Sequence, residues 1–130
     1  MRVIATRFEY VYEDSNGERE TDFVHAWGAI NEAQRKALNL CLLRGSFLPT
    51  QIGWEHPGRH FFSFPTNADH AWCMLDTEAG VRVHQMPPGA IVKTSVDEVV
   101  AAFRSAVIAG WDERVASCRL GLPQGLELSR

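Results

Sequence analysis

The stretch HPGRHFFSFPTNADHAWC, residues 56–73, concentrates the side chains most able to do chemistry. It holds three of the chain's five histidines, one of its three cysteines and four aromatic rings. Imidazole nitrogen and thiolate sulfur are the donors a tetrahedral zinc ion prefers, and such ligands come in closely spaced pairs. Three residues separate His56 from His60, two separate His70 from Cys73, and nine lie between the pairs, enough to close a loop around an ion. His56, His60, His70 and Cys73 are therefore the candidate metal ligands. Two features oppose a zinc site. Pro57-Gly58 keeps the first pair from sharing a helical turn, and one cysteine stands where established fingers carry a C-x-x-C pair. The competing reading makes these histidines turn and rim residues around Phe61, Phe62 and Phe64.

Cys73 also enters a second constellation. The runs AWCML and VRVHQM flank Thr77-Glu78-Ala79-Gly80, which reads as a four-residue hairpin loop. Pairing Asp76 with Val81 sets Cys73 opposite His84, with Arg82 on the same face. A thiol beside an imidazole and a guanidinium has its thiolate favoured, as a nucleophilic cysteine requires. Cys73 and His84, with His70 nearby, are the candidate pair for thiol or acyl chemistry. A register change of one residue would separate them, and no glycine-rich oxyanion turn adjoins Cys73. An inert half-buried cysteine beside a surface histidine is the alternative.

Other chemistry is thin. The chain has no P-loop, G-x-G-x-x-G, G-x-S-x-G or H-E-x-x-H, which lowers the weight of ATP-handling, dinucleotide and common hydrolase designs. No cofactor is indicated, and zinc is the metal its residues could bind. Glu13, Asp14, Glu18, Glu20 and Asp22 crowd around one predicted turn, either a solvated acidic tip or a docking point for a basic partner. Trp27, Trp54, Trp72 and Trp111 fall at element ends, where large rings anchor interfaces or plug the ends of a small core.

The elements that must position these residues follow from periodicity. Ile4, Thr6, Phe8, Tyr10 and Tyr12 alternate with Arg7 and Glu9, and Phe23, His25 and Trp27 keep the same period. Asn16-Gly17 between them suits a type I′ turn, which needs positive φ at both central residues. That turn sets Tyr10 opposite Phe23, Phe8 opposite His25 and Thr6 opposite Trp27, all on one face. A first helix starts at Asn31 with Gln34 completing a capping box. Its stripe is Ala33, Ala37, Leu38, Cys41 and Leu42, with Gly45 as its stop and Arg44 against its carbonyl end. A second starts at Ser95 with Glu98, buries Val96, Val99, Val100, Phe103 and Val107, and ends at Gly110. FLPTQIGW (47–54) reads as a loop crossing the core; RHFFSF, AWCML and VRVHQM read as short strands. After Trp111, a helix through Val115 and Cys118 competes with an alternating VASCRL, and residues 121–130 read as an extended or frayed tail. The order implies an α+β fold in one domain, 1–130: an antiparallel sheet from an N-terminal hairpin and short central strands, packed on two main helices.

The totals bound the function. At 130 residues, 45% apolar, the chain can bury roughly two-thirds of its unfolded surface without a disulfide or metal. A net charge of −3 with no basic run argues against nucleic acid. No stretch nears the ~18 apolar residues of a membrane span, and the N-terminal residues lack the apolar core of an export signal. Three scattered cysteines suit reduced thiols in a cytoplasm. The sequence thus points to a small protein-binding or regulatory domain of inhibitor, immunity or adaptor type. It would use aromatic rims and an acidic surface against a basic protein partner, with homodimerisation through an edge strand as a further expectation. The alternative is a Cys/His-dependent or zinc-assisted enzyme built on residues 56–84.

Overall fold

The computed structural model describes residues 3–122. It opens with an antiparallel hairpin of β1 (Val3–Glu13) and β2 (Arg19–Trp27). The reversal between them is not the expected type I′ turn. Gly17 carries positive φ (84°) while Asn16 does not, and the Gly17 N–H donates to the Asp14 carbonyl at 3.1 Å. The Asp14 carboxylate accepts the N–H groups of Asn16 and Glu18, both at 2.9 Å. Asp14 thus favours a three-residue loop closed by a left-handed glycine. The extra residue moves the register by one: Tyr10 faces Asp22, Phe8 faces Val24 and Thr6 faces Ala26. Because side chains alternate between faces, Phe23, His25 and Trp27 pass to the opposite side from the one the sequence assigned them.

A two-residue reversal with positive φ at both positions does occur, at Arg44 (53°) and Gly45 (80°). There Leu43 and Ser46 exchange backbone hydrogen bonds of 2.8 and 3.0 Å. Gly45 therefore does not stop the first helix, α1 (Glu32–Cys41), which ends at Leu42 and leaves Arg44 beyond its last turn. The Asn31–Gln34 capping box forms as expected. Leu38, Cys41 and Leu42 are buried, but Ala33 is exposed.

Three shorter strands complete the sheet: β3 (Ser46–Phe47), β4 (Cys73–Met74) and β5 (Val81–Met86). The hairpin expected between AWCML and VRVHQM is absent. Both β4 and β5 pair antiparallel with the same edge of β1, Met74 opposite Val11 and Val81–Met86 opposite Phe8–Val3. They are successive pieces of one interrupted strand, because β1 is long enough to pair with both. The intervening residues form a bulged loop, with the Gly80 N–H donating to the Asp76 carbonyl and the Gly80 carbonyl accepting the Glu9 N–H, both at 2.8 Å. A Cβ at Gly80 would lie 2.7 Å from the Glu9 carbonyl oxygen, so this close approach admits no larger residue.

The even-numbered residues of β1 form the core face. Phe8, Tyr10 and Tyr12 pack with Leu38 and Cys41 of α1 and with Val96, Val99, Val100 and Phe103 of α2 (Val96–Ala109). Ser95 caps α2 and Gly110 ends it; Ala106, not the expected Val107, completes its stripe. The ambiguous tail forms a third helix, α3 (Glu113–Leu120), capped by Asp112. Leu122 beyond it is fully buried with Leu48, Ala71 and Ala116, so the chain is anchored at that point; the rest of the expected tail, 123–130, lies outside the described residues. RHFFSF is not a strand: Pro57–His60 forms a 3-10 turn and the next residues bend. FLPTQIGW supplies part of β3, a 3-10 turn at Pro49–Ile52 and the buried Phe47 and Leu48. The result is the expected α+β class, a five-stranded antiparallel sheet with helices meeting one face. After β5 the chain returns to the end of β2, where the Trp27 backbone N–H donates to the Thr94 carbonyl and its indole N–H to the Val92 carbonyl, both at 2.9 Å.

Candidate functional site

The 56–73 segment folds around Tyr12. The Tyr12 hydroxyl donates to Asp69 Oδ1 at 2.6 Å and accepts the His70 N–H at 3.0 Å. The other Asp69 oxygen accepts the Thr66 N–H at 2.7 Å and its hydroxyl at 3.1 Å. Burial first, and then the Asp69 contact, push the Tyr12 phenol well above its ordinary pKa. His56, only 2% exposed, stacks on Phe64 and meets the Tyr12 ring edge-on. Its Nδ1 accepts the Gly58 N–H at 3.0 Å, so the neutral ring carries its proton on Nε2, a buried atom near the His70 backbone that makes no well-formed hydrogen bond among the described residues. Burial lowers the His56 pKa to about 4. His70 Nε2 donates to the Glu13 carbonyl at 2.8 Å, which leaves its buried Nδ1 as a bare acceptor.

The four candidate metal ligands do not gather. His56 and His70 both flank Tyr12, whereas His60 contacts Asp22 at 3.1 Å and Cys73 points into the main core. Among the described residues no three His, Cys, Asp or Glu side chains converge as a metal-binding group. The segment's polar atoms hold a loop onto β1.

Cys73 and His84 are not neighbours. Met74 stands opposite Val11 and His84 opposite Ala5, which puts them about 20 Å apart along β1. Cys73 is 1% exposed, and burial raises its thiol pKa well above the usual value, the reverse of what a nucleophile needs. The tryptophans are all half-buried. Trp54 packs on Tyr10, Phe47 and Phe103, and Trp72 packs against the second cluster. The Trp111 indole N–H donates to the Cys41 carbonyl at 2.9 Å. The acidic tip is also partly committed. Glu13 pairs with Arg19 at 2.8 Å, and Asp14 builds the turn. Asp22 is held by Arg59 and His60; against the upward pull of its own burial, these two partners keep its carboxyl below the usual range.

The odd-numbered sheet face is different. Arg7 lies at its centre, opposite His25 on β2 and Arg82 on β5. The Arg7 guanidinium sits 4.0 Å above the centroid of Phe23, a ring left 49% exposed. His25 meets Phe23 edge-on at 5.2 Å and His84 at 6.3 Å. Burial first, then Arg7 and His84, hold the His25 pKa below its ordinary value. Arg7, Glu9, Arg82 and His84 line a pocket of about 170 Å³ closed by Ala79 and Gly80. A larger groove, about 760 Å³, lies between α1 and residues 74–78, with Leu40 and Met74 exposed among charges of both signs.

The sequence reading missed this face because it placed Phe23 and His25 on the same side of the sheet as Tyr10 and Phe8. The signal was present in Asp14-Ser15-Asn16-Gly17, since aspartate first and glycine fourth is the pattern of a type I turn. Compared with family models, with curated proteins and with solved structures, the chain finds no match.

Proposed function

We propose that this chain is a cytoplasmic protein-binding module that docks an acidic partner on the odd-numbered face of its sheet. The observation that carries the reading is the exposed Phe23 ring beneath Arg7, flanked by His25, Arg82 and His84. Aromatic and arginine side chains dominate the energy of protein interfaces, and here they share one uncovered patch. The basic partner expected from the acidic tip fits less well, because Glu13 and Asp22 already have cationic neighbours. Cys41, Cys73 and Cys118 form no disulfide among the described residues, which suits a reducing compartment. No helix among the described residues is long and apolar enough to cross a membrane. The enzymatic alternative loses support with the separation of Cys73 from His84.

The test is crosslinked affinity capture with the wild type, Phe23→Ser and Phe62→Ser. Phe62 is a fully exposed ring on the 61–69 loop and serves as the control. A partner retained by the wild type and Phe62→Ser but lost by Phe23→Ser is the expected result, with association slowing as salt is added. Equal retention by all three, or binding indifferent to salt, would overturn the reading. Capture of a second copy of the chain would instead assign the face, or the lightly paired outer edge of β2, to self-association.

A further inference from the structure

We infer that the pocket between Arg7, Arg82 and His84 is a carboxylate receptor, taking an aspartate or glutamate side chain of the docked protein. The inference deepens the proposed function and rests on it for the source of the carboxylate. Three observations on the pocket carry it.

First, Arg7 and Arg82 stand directly opposite each other on paired strands. Like charges at such positions repel, and a sheet built only for stability would avoid the arrangement. Second, the compensation inside the pocket is incomplete. Glu9 Oε1 contacts Arg7 Nη2 at 3.2 Å, while the Arg82 Nε–H donates to the Ala79 carbonyl, and Arg82 has no ion pair among the described residues. Two guanidinium groups therefore share one carboxylate, which touches only one of them. Third, His84 brings a ring whose Nε2 is buried without a hydrogen-bond partner among the described residues. With its proton on Nε2, the neutral ring presents there an N–H that has no acceptor among the described residues and that a carboxylate oxygen would accept.

Glu9 also indicates the class of ligand. The group already resting on Arg7 is a carboxylate, a shape that matches the planar guanidinium fork. Glu9 is itself exposed, so it can yield its place. An incoming carboxylate that bridges Arg7 and Arg82 would satisfy both cations and relieve their repulsion. Phe23 lies beneath Arg7, so the same partner residue would reach the pocket as its neighbours cover the ring.

The experiment is a titration of the ¹⁵N-labelled full chain with triglutamate at constant ionic strength, with acetate and inorganic phosphate in parallel. Saturable shifts should be confined to Arg7, Gly80, Arg82 and His84. Arg82→Gln should weaken triglutamate about tenfold, as loss of one charge-assisted contact implies. Glu9→Gln should tighten it several-fold by removing the internal competitor, an effect that a purely structural pocket would not produce. Scattered shifts, or indifference to Glu9→Gln, would overturn the pocket. Phosphate binding tighter than triglutamate would overturn the ligand class, and acetate binding as tight as triglutamate would overturn the protein-borne source. A captured partner that is lost with Phe23→Ser but indifferent to Arg82→Gln keeps the docking face and removes the pocket. Triglutamate bound at the pocket of a chain whose partner ignores Phe23→Ser does the reverse.

Discussion

The loop around Tyr12 and the open face of the sheet draw on the same residue types, yet they use them in opposite ways. Around Tyr12, the carboxylate, the hydroxyls and one nitrogen of each buried histidine are committed to the chain itself, and only His56 Nε2 and His70 Nδ1 lack a hydrogen bond among the described residues. Asp69 accepts from Tyr12 and from two Thr66 donors, His56 receives the Gly58 N–H, and His70 reaches back to Glu13. On the open face, two arginines stand opposite each other, one carboxylate contacts only Arg7, and an aromatic ring is left half in water. Density of chemically able residues in the sequence marked the first region. Uncompensated positive charge marks the second. A side chain whose hydrogen bonds are filled by its own chain has little left to offer a ligand, so the second region is the better place to look for function.

The contrast can be broken most sharply at Asp69. Replacing Asp69 with Ala leaves the buried Tyr12 hydroxyl without its charged acceptor, while the Thr66 N–H, on an exposed residue, can turn to water. The expected loss is about 3 kcal/mol, the upper end of the usual cost for one buried group deprived of a charged partner. It would appear as a shift in urea midpoint at unchanged slope. A loss below about 1 kcal/mol would mean that the loop does not depend on this network.

The next effect is pH-dependent. His56 is held neutral, its pKa falling from 6.5 to about 4 on folding. Above pH 6.5 neither state takes up the proton, and this group contributes nothing. Between 6.5 and about 4 the unfolded chain binds a proton that the folded chain refuses, so stability falls as pH falls; below about 4 the loss levels off. The difference amounts to about 3 kcal/mol. His25 is also depressed and adds to the slope just below 6.5, whereas the paired Asp22 loses its contribution only below 3.8. His56→Asn keeps an acceptor for the Gly58 N–H but cannot titrate. Its stability should therefore be lower at neutral pH and flatter between pH 6.5 and 4, as denaturant midpoints across that range would show.

How much of this was legible in the sequence depends on how local the governing interaction is. The caps at Asn31 and Ser95 and most of both buried stripes lie within a few residues of each other, and they could be read directly. The hairpin's existence was equally local, but its register hung on a competition between Asn16 at positive φ and the Asp14 side chain's hold on two amides. That small difference turned a whole strand over and hid Phe23 and His25 from the functional reading. The pairing of β4 and β5 was not legible at all. A short loop between two short strands normally closes a hairpin, and only the length of β1 lets both lie along one edge. Residues 56–73 drew attention by composition, but composition does not tell a histidine that stabilises a loop from one that awaits a ligand.

Gly80 sits where the two regimes meet, closing the pocket on one side and hydrogen-bonding to β1 on the other. Gly80→Ala would press a methyl group against the Glu9 and Asp76 carbonyl oxygens, at 2.7 and 2.8 Å. Both obstacles are backbone, so the loop must shift, at a cost of about 2 kcal/mol. Thermal unfolding should record that cost together with weaker triglutamate binding. Full stability with unchanged binding would place the loop elsewhere.

The smallest effect carries the opposite sign and sharpens the comparison most. Arg82 is exposed and stands opposite Arg7 across the strand pair. Replacing it with Gln removes a like-charge contact and keeps a side chain able to donate to the Ala79 carbonyl. Stability should rise by about 0.3 kcal/mol, and the gain should shrink as salt screens the repulsion. Urea midpoints at low and high ionic strength would measure both. A residue that lowers the stability of the free chain while strengthening its hold on a carboxylate is what a binding surface needs and a structural network avoids. If Arg82→Gln instead costs more than about 0.5 kcal/mol, beyond the usual range for an uninvolved surface position, Arg82 belongs with Asp69 among the residues that hold the fold together. The two regions would then no longer differ in kind.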